Sequence, residues 1–365
     1  GDGWVEPGGP PTVATQRLVQ EAPYYELVQT LGQSSIDTNL ATDPSIGYVI
    51  AAAAPVDNAI NATLSTDPGS GYEDVAVLDF CPTGELSADV SAKATAWTIT
   101  NGENLDEVAV GTHFQIDDEL CVVDSIDVGT GALTVGRGVL DTSPRPHSAG
   151  ARLYFWDVYN AGDSTQYVDG ETINVKIRPT TGQGTLALAD APVDAVTLDS
   201  RAIRPYPPGR FRIDGQDYPD EIFTSSPTVT WAHRDRVQQT AGTLVPHSSG
   251  DIGPEAGTTY TVELYDESDN LIDTQSGLTG TSASVVLSSL PSNVATIMVW
   301  SSRDGYLSWQ AVRHTFLFPF AALFVVLPLT YDEADYNDEM TWVRQGPGPH
   351  VTPDGFEGDG FQARM

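Results

Sequence analysis

Lysine is almost missing from this chain. Lys93 and Lys176 are the only two in 365 residues, and Arg supplies the rest of the 17 basic side chains against 50 Asp and Glu, for a formal charge of −33. So little positive charge leaves no basic footprint for a phosphate backbone and nothing to draw the chain to an anionic membrane surface. We therefore expect no sequence-specific nucleic-acid binding. Cysteine is scarce too. Cys81 and Cys121 stand far apart, which excludes a disulfide framework, and both are expected to be reduced and buried as small hydrophobes. No Met precedes Met298, which suggests the C-terminal part of something longer or a processed chain, and no positively charged, apolar signal segment opens it. Long apolar runs are absent but for one. Residues 316–329 (FLFPFAALFVVLPL) fall short of the roughly twenty that a spanning helix needs, and prolines interrupt them. No membrane span is expected. The run reads either as buried strand plus turn or as a sticky segment that needs a partner surface.

What is present points to a folded chain. A hydrophobic content of 40% is too high for a disordered acidic chain. The 34 Gly and 25 Pro imply many turns and few long helices. The length predicts two to three domains. An acidic, lysine-poor surface fits adaptation to high salt, because screening shortens the reach of self-repulsion; a GC-rich genome that favours Arg codons is the other reading.

The expected fold class is mainly β: serial small β-domains, including a fibronectin type III-like sandwich, after one short N-terminal helix. The helix is predicted where Tyr24, Leu27, Val28 and Leu31 share a face, with Pro23 in the first turn and Gly32 at the stop. Residues 1–90 read as linker, helix and a β-rich segment that includes GYVIAAAAP and YEDVAVLDFCP. Residues 91–157 read as a small β-domain, in which ELCVVDSIDV and GALTVGRGV flank a hairpin turn at Gly129, Thr130 and Gly131. Residues 158–225 form a β-rich module in which Pro205, Pro207 and Pro208 make an extended corner, since they cannot lie in a central strand. Residues 226–314 carry short strands at sandwich spacing. Trp231, Tyr260, Leu290 and the Val299/Trp300 pair are expected in its core, with its strands complete by His314. Residues 315–365 hold the apolar run and an acidic, Gly/Pro-rich tail.

Chemistry-bearing patterns are few. None of the six histidines forms an HExxH pair or adjoins a CxxC, so no metal site is expected. There is no GxSxG elbow, no Walker A motif and no GxGxxG after a strand. Accordingly we expect no catalytic residue, no cofactor and no cofactor-binding residue. His147 and His233 read as turn and strand-end hydrogen-bonders. The glycines of Gly136-Arg137-Gly138 are expected to let Arg137 turn sharply and pair with a carboxylate. Asp117, Asp118 and Glu119 are adjacent, so successive members should face opposite sides of a strand, a poor arrangement for glycoside hydrolysis. The DESDN stretch at Asp266 reads as a hairpin turn rather than a calcium loop, and residues 331–338 (YDEADYND) raise the same choice.

Four blocks carry a resemblance. GTHFQIDDELCVVDSID followed by LTVGRGVLDTSPRPHSAGARLYFWD, then RAIRPYPPGRFRIDG, PTVTWAHRDRVQQT and EAPYYELVQTLG resemble blocks of the large tail-tip proteins of long-tailed bacteriophages, similar in turn to the baseplate hub of gene-transfer agents. The likeness spans about residues 21–314. It implies a structural hub subunit of a siphophage virion, homotrimeric, assembled with other tail-tip and tail-fibre proteins to close the tail tube and support host attachment and DNA delivery. The tube-closing domains expected ahead of this region are absent, and residues after His314 match no such block. Two other readings compete: a secreted or surface adhesin or carbohydrate-binding β-module protein, and a cell-wall-degrading enzyme of a tail.

Overall fold

The computed structural model describes residues 9–319. Helix α1 (Tyr24–Leu31) buries Tyr24, Leu27 and Val28. Pro23 stands at its start, and Gly32, at φ +82, ends it in a conformation open to glycine. A second helix that the sequence reading missed, α2 (Gln33–Thr42), follows at once. Its Ser, Thr, Asn and Asp residues disfavour helix interiors, and only Ile36 and Leu40 are buried. Tertiary packing of that i, i+4 pair sustains it.

Three β-assemblies follow. A closed barrel takes Thr83–Leu86, Ala96–Glu103, His113–Ile116, Glu119–Asp127, Ala132–Gly136 and Arg152–Tyr154. Trp97, Phe114, Val123, Leu133 and Phe155 fill it. The expected hairpin is there: Ala132 pairs with Asp127 across a turn in which Gly131 has φ +72.

A second assembly is built from distant halves of the chain. Asn61–Asp67 pairs with Thr172–Thr181, which in turn pairs with Asp194–Thr197, while Glu73–Leu78 lines the other side of Asn61–Asp67. Arg17–Glu21, Val49–Ala53 and Ala161–Gly162 make a small sheet packed beside it. These pairings cut across the boundaries expected at residues 90 and 157. The barrel begins by Thr83, and residues 17–78 share sheets with residues 161–197. Alternation marks which face of a strand is buried, not which strand is its partner.

The third assembly is the sandwich. One sheet contains Gly209–Ile213, Thr228–Ala232 and Ser282–Ser284; the other orders Leu271–Leu278, Thr259–Tyr265, Val294–Arg303 and Val312–Leu317. Strands one, two and five thus face strands four, three, six and seven, the order of a fibronectin type III domain. Its core holds Trp231, Tyr260, Leu290 and Val299 as expected, with Phe211 and Ile297. Trp300 is a correction: alternation turns it to the other face, where its Nε1 donates to Glu263 Oε2 at 3.0 Å. The boundaries also move. The first strand starts at Gly209, ahead of residue 226, and the last runs to Leu317, beyond His314. Phe316 and Phe318, the start of the apolar run, pack into the sandwich's own core. The remainder of that run, with the acidic tail, lies outside the described residues.

Pro205, Pro207 and Pro208 lie outside every strand, as the corner predicts. Among the described residues no helix is long and apolar enough to cross a membrane.

Candidate functional site: a buried ionic junction

Glu119 opens a barrel strand directly after a two-residue turn at Asp117 and Asp118, so these acids form a hairpin tip rather than the alternating strand expected of them. Glu119 is fully buried. Arg137 Nε and Nη2 donate to its two oxygens at 2.7 Å each, and the backbone N–H groups of Gly138 and Arg145 donate at 2.9 Å. The remaining guanidinium hydrogens of Arg137 reach the carbonyls of Ser91, Ala94 and Arg145. All five donors of this buried Arg therefore have acceptors. The pairing read from Gly136-Arg137-Gly138 is present, and Gly138, at φ +55, is required because a Cβ there would stand 2.5 Å from Pro144 Cδ.

His147 completes the cluster. Its Nε2 meets Glu119 Oε2 at 2.9 Å and its Nδ1 meets Asp117 Oδ2 at 2.7 Å. The expected turn hydrogen bond is thus a bridge from the imidazole to two carboxylates, one of them fully buried. Burial alone would raise the Glu119 carboxyl, but hydrogen bonds and charge from Arg137 and His147 outweigh it and hold the group down at about 2.

A second set of contacts ties this end of the barrel to its neighbours. Arg201 donates to Asp141 through Nε at 2.6 Å and Nη2 at 3.1 Å, and through Nη1 to Gln20 Oε1 and the Glu21 carbonyl. Glu21 accepts from the backbone of Asp199 at 2.7 Å and of Arg201 at 2.8 Å; burial pushes its carboxyl up, against the pull of those bonds. Arg236 donates to Glu255 Oε1 at 3.0 Å and lies 4.4 Å over the Tyr24 ring of α1. Arg303 approaches the same Glu255 oxygen at 2.9 Å. Among the described residues Arg234 has no carboxylate within 4.0 Å. It donates to the Gly138, Val245 and Gln239 oxygens beneath the Tyr206 ring, and burial pulls its guanidinium down to about 10.

The sandwich closes the junction through the loop before its last strand. Gln310 Oε1 accepts from Ser143 N at 3.0 Å, and its Nε2 donates to the Asp118 carbonyl at 2.6 Å. Trp309 lies under Arg201 at 5.0 Å and Arg204 at 5.7 Å. Helix α1 adds Glu26, whose Oε1 lies 2.9 Å from His113 Nε2 in the barrel, while Gln29 of α1 and Gln33 of α2 reach the Thr240 and Val237 carbonyls.

All four sequence blocks singled out above meet at this junction. EAPYYELVQTLG supplies Glu21, Tyr24 and Glu26; the barrel block supplies Glu119, Arg137, Asp141 and His147; the proline corner supplies Arg201 and Tyr206; and the sandwich entry supplies Arg234 and Arg236. Sequence reasoning missed Glu255, Arg303 and Gln310. The first two carry no local signal in an acidic chain, and Gln310 acts through backbone groups that sequence does not pair.

The chemistry of this arrangement is cohesion. Its ions face one another and the backbone. The other candidates are local as well. Asp266 accepts from the Ser268 and Asn270 backbone N–H groups at 2.8 and 2.9 Å, closing the expected hairpin turn. His233 lies just beyond its strand, with Nδ1 2.7 Å from the Tyr260 hydroxyl. Residues 331–338 lie outside the described residues. Cys81 and Cys121 are free and buried; burial pushes the Cys81 thiol up to about 12 and, with Glu119 beside it, raises that of Cys121. Among the described residues no group of three His, Cys, Asp or Glu is placed to hold a metal ion.

No protein-family model matches the chain, and no curated protein does. Two solved structures are similar in part. The BSP domain of a biofilm-associated protein aligns at 13% identity and a TM-score of 0.18, over 66% of this chain and 30% of that one. The FN1–FN3 domains of chicken CNTN1 align at 10% identity and a TM-score of 0.21, over 66% of this chain and 67% of theirs. This chain thus spans under a third of the biofilm-associated protein's length. Both superpositions are poor, and neither bears on what the chain does.

Proposed function

We propose that the chain is a structural component of a bacteriophage tail tip, a baseplate-hub subunit at the distal end of the tail that supports host attachment and DNA delivery. The observation that carries this reading is the convergence of the four tail-tip-like blocks on one buried ionic junction. Those residues hold helix, barrel and sandwich together, which is the work of a stiff connector. The subunit assembles as a homotrimer with other tail-tip and tail-fibre proteins, since a closed three-fold ring satisfies every copy identically. The proposed role is structural and involves no catalysis.

Antibodies against the chain, applied to purified virions and viewed by electron microscopy, should label the tail tip. Light scattering on the purified chain should give three times the monomer mass. A second reading, a secreted or surface adhesin, draws support from the fibronectin-like sandwich, a common module on cell surfaces. Label on the host envelope with bare tails, together with a monomeric mass, would favour it and defeat the hub.

A further inference from the structure

The apolar run that starts at Phe316 divides between two faces of the sandwich. Phe316 and Phe318 enter the core, while Leu317 between them is 44% exposed. Alternation along the last strand explains the split: Arg313, Thr315 and Leu317 line the outer face of the four-stranded sheet, and Phe316 the inner one.

Register carries that outer face across the sheet. Arg313 lies opposite Met298, and Met298 opposite Glu263. Thr315 lies opposite Thr296, Thr296 opposite Tyr265, and Tyr265 opposite Leu271. Trp300 follows Met298 two residues on, with the same facing. Met298, Trp300 and Tyr265 are half-buried, and Leu271 is 53% exposed.

Two properties set this face apart. The first is its lack of free charge. Glu263 is the only acid in the strands Thr259–Tyr265, Val294–Arg303 and Val312–Leu317, in a chain that has 50. Its Oε2 accepts from Trp300 Nε1 at 3.0 Å and from the Tyr265 hydroxyl at 2.9 Å. Arg313 is answered by Asp269 at 2.6 Å. The second is composition. Trp, Tyr and Met beside an Arg, with other charges depleted, make up the core of an interface. The bonds to Glu263 also fix both aromatic rings, so covering them costs little further side-chain entropy.

We propose that this face is a docking surface and that its occupant is the chain's own residues 320–329. That stretch reads FAALFVVLPL and carries no charge. Only Phe318 and Pro319 separate it from Leu317, which is already on the face. Ten residues reach about 33 Å when extended, whereas four strands about 4.8 Å apart are about 14 Å across, so reach is ample. A connection this short gives an effective concentration in the millimolar range, which favours this occupant over a second copy in dilute solution. Two uncharged surfaces can also meet without adding to the self-repulsion of a chain at −33. Their contact removes apolar area from water on both sides.

Hydroxyl-radical footprinting of the full chain, read by peptide mass spectrometry, tests this with Met298 and Trp300 as reporters, since a covered thioether is spared oxidation. The variant is Phe320→Asp with Phe324→Asp, which puts charge into the apolar contact. Labelling of Met298 and Trp300 should rise about threefold or more, because a carboxylate resists such burial. Phe320→Leu with Phe324→Leu should keep the wild-type protection. Tyr72, in the second β-assembly, should label equally in all three proteins, and Trp231 should stay unlabelled, reporting an intact sandwich core. If Trp231 becomes labelled in the Asp variant, Thr315→Glu replaces it: this exposed position on the face accepts a charge without touching the core, and the same rise is expected. Protection in wild type should persist on about hundredfold dilution, as an intramolecular contact does. Equal labelling of wild type and charged variant overturns the proposal. Protection that fades on dilution overturns it too, by assigning the face to a second copy.

Discussion

Glu119 accepts from Arg137, His147 and two backbone N–H groups, so it is both the most deeply charged and the best-satisfied acid of the junction. Removing its charge leaves Arg137 buried without a counter-ion, a loss of about 3–5 kcal/mol. Glu119→Gln should lower the denaturant midpoint accordingly, and Arg137→Lys should follow, because an ammonium cannot reproduce the forked contact. Acid should act in two stages. His247 is pulled down to about 3, chiefly by burial with help from the Arg234 charge, whereas its ordinary value is 6.5. Below about pH 6.5 the unfolded chain takes up a proton that the folded chain refuses, so stability falls as pH drops toward 3, by about 1.4 kcal/mol per pH unit for this one group. Glu119, held at about 2 against an ordinary 4.5, contributes stability that is complete above pH 4.5 and is lost as pH falls from there toward 2. Unfolding free energies of His247→Gln measured from pH 7 to pH 4.5 should show a shallower decline than wild type. Parallel curves would place the proton uptake elsewhere.

At the level of elements, the loop before the last sandwich strand locks the sandwich to the barrel. Removing the Gln310 side chain strands Ser143 N and the Asp118 carbonyl at a cost of about 1–3 kcal/mol, and removing Trp309 uncovers Arg201. A Trp309→Ala, Gln310→Ala double variant should split one calorimetric transition into two, as barrel and sandwich cease to unfold together. A single transition at the wild-type temperature would show that the other contacts suffice. These same elements mark the limit of what could be read in advance. Alternation around Trp231 and Tyr260 and the glycines of the Gly129–Gly131 turn made the sandwich and the hairpin legible, because each signal is local. The pairing of Asn61–Asp67 with Thr172–Thr181 was not, since alternation fixes a face and leaves the partner open. Helix α2 was missed because two buried residues in a polar decapeptide make almost no pattern. For the junction, the Gly136-Arg137-Gly138 turn announced a carboxylate partner. Choosing Glu119 from among 50 acids required the fold.

Across the whole molecule, charge is sorted by depth. Arg137, Arg201, Arg234 and Arg236 are buried, and eight of the other eleven Lys and Arg among the described residues already have a carboxylate partner. The surface is therefore left with a large excess of acids that nothing nearby offsets. Their mutual repulsion opposes the compact state and is screened by salt, with a Debye length of about 30 Å at 0.01 M and about 3 Å at 1 M. The buried pairs are shielded from the same ions, so salt should relieve the repulsion without dissolving the junction. The melting temperature should therefore climb with NaCl, most steeply below about 0.3 M, where the screening length shortens fastest. Sucrose, which strengthens burial by exclusion without screening charge, should give a gradual rise with no steep onset. A flat or falling melting temperature between about 0.01 and 1 M NaCl would mean that the surface acids are spaced too widely to repel one another, and that the lysine-poor composition reflects codon usage rather than adaptation to salt.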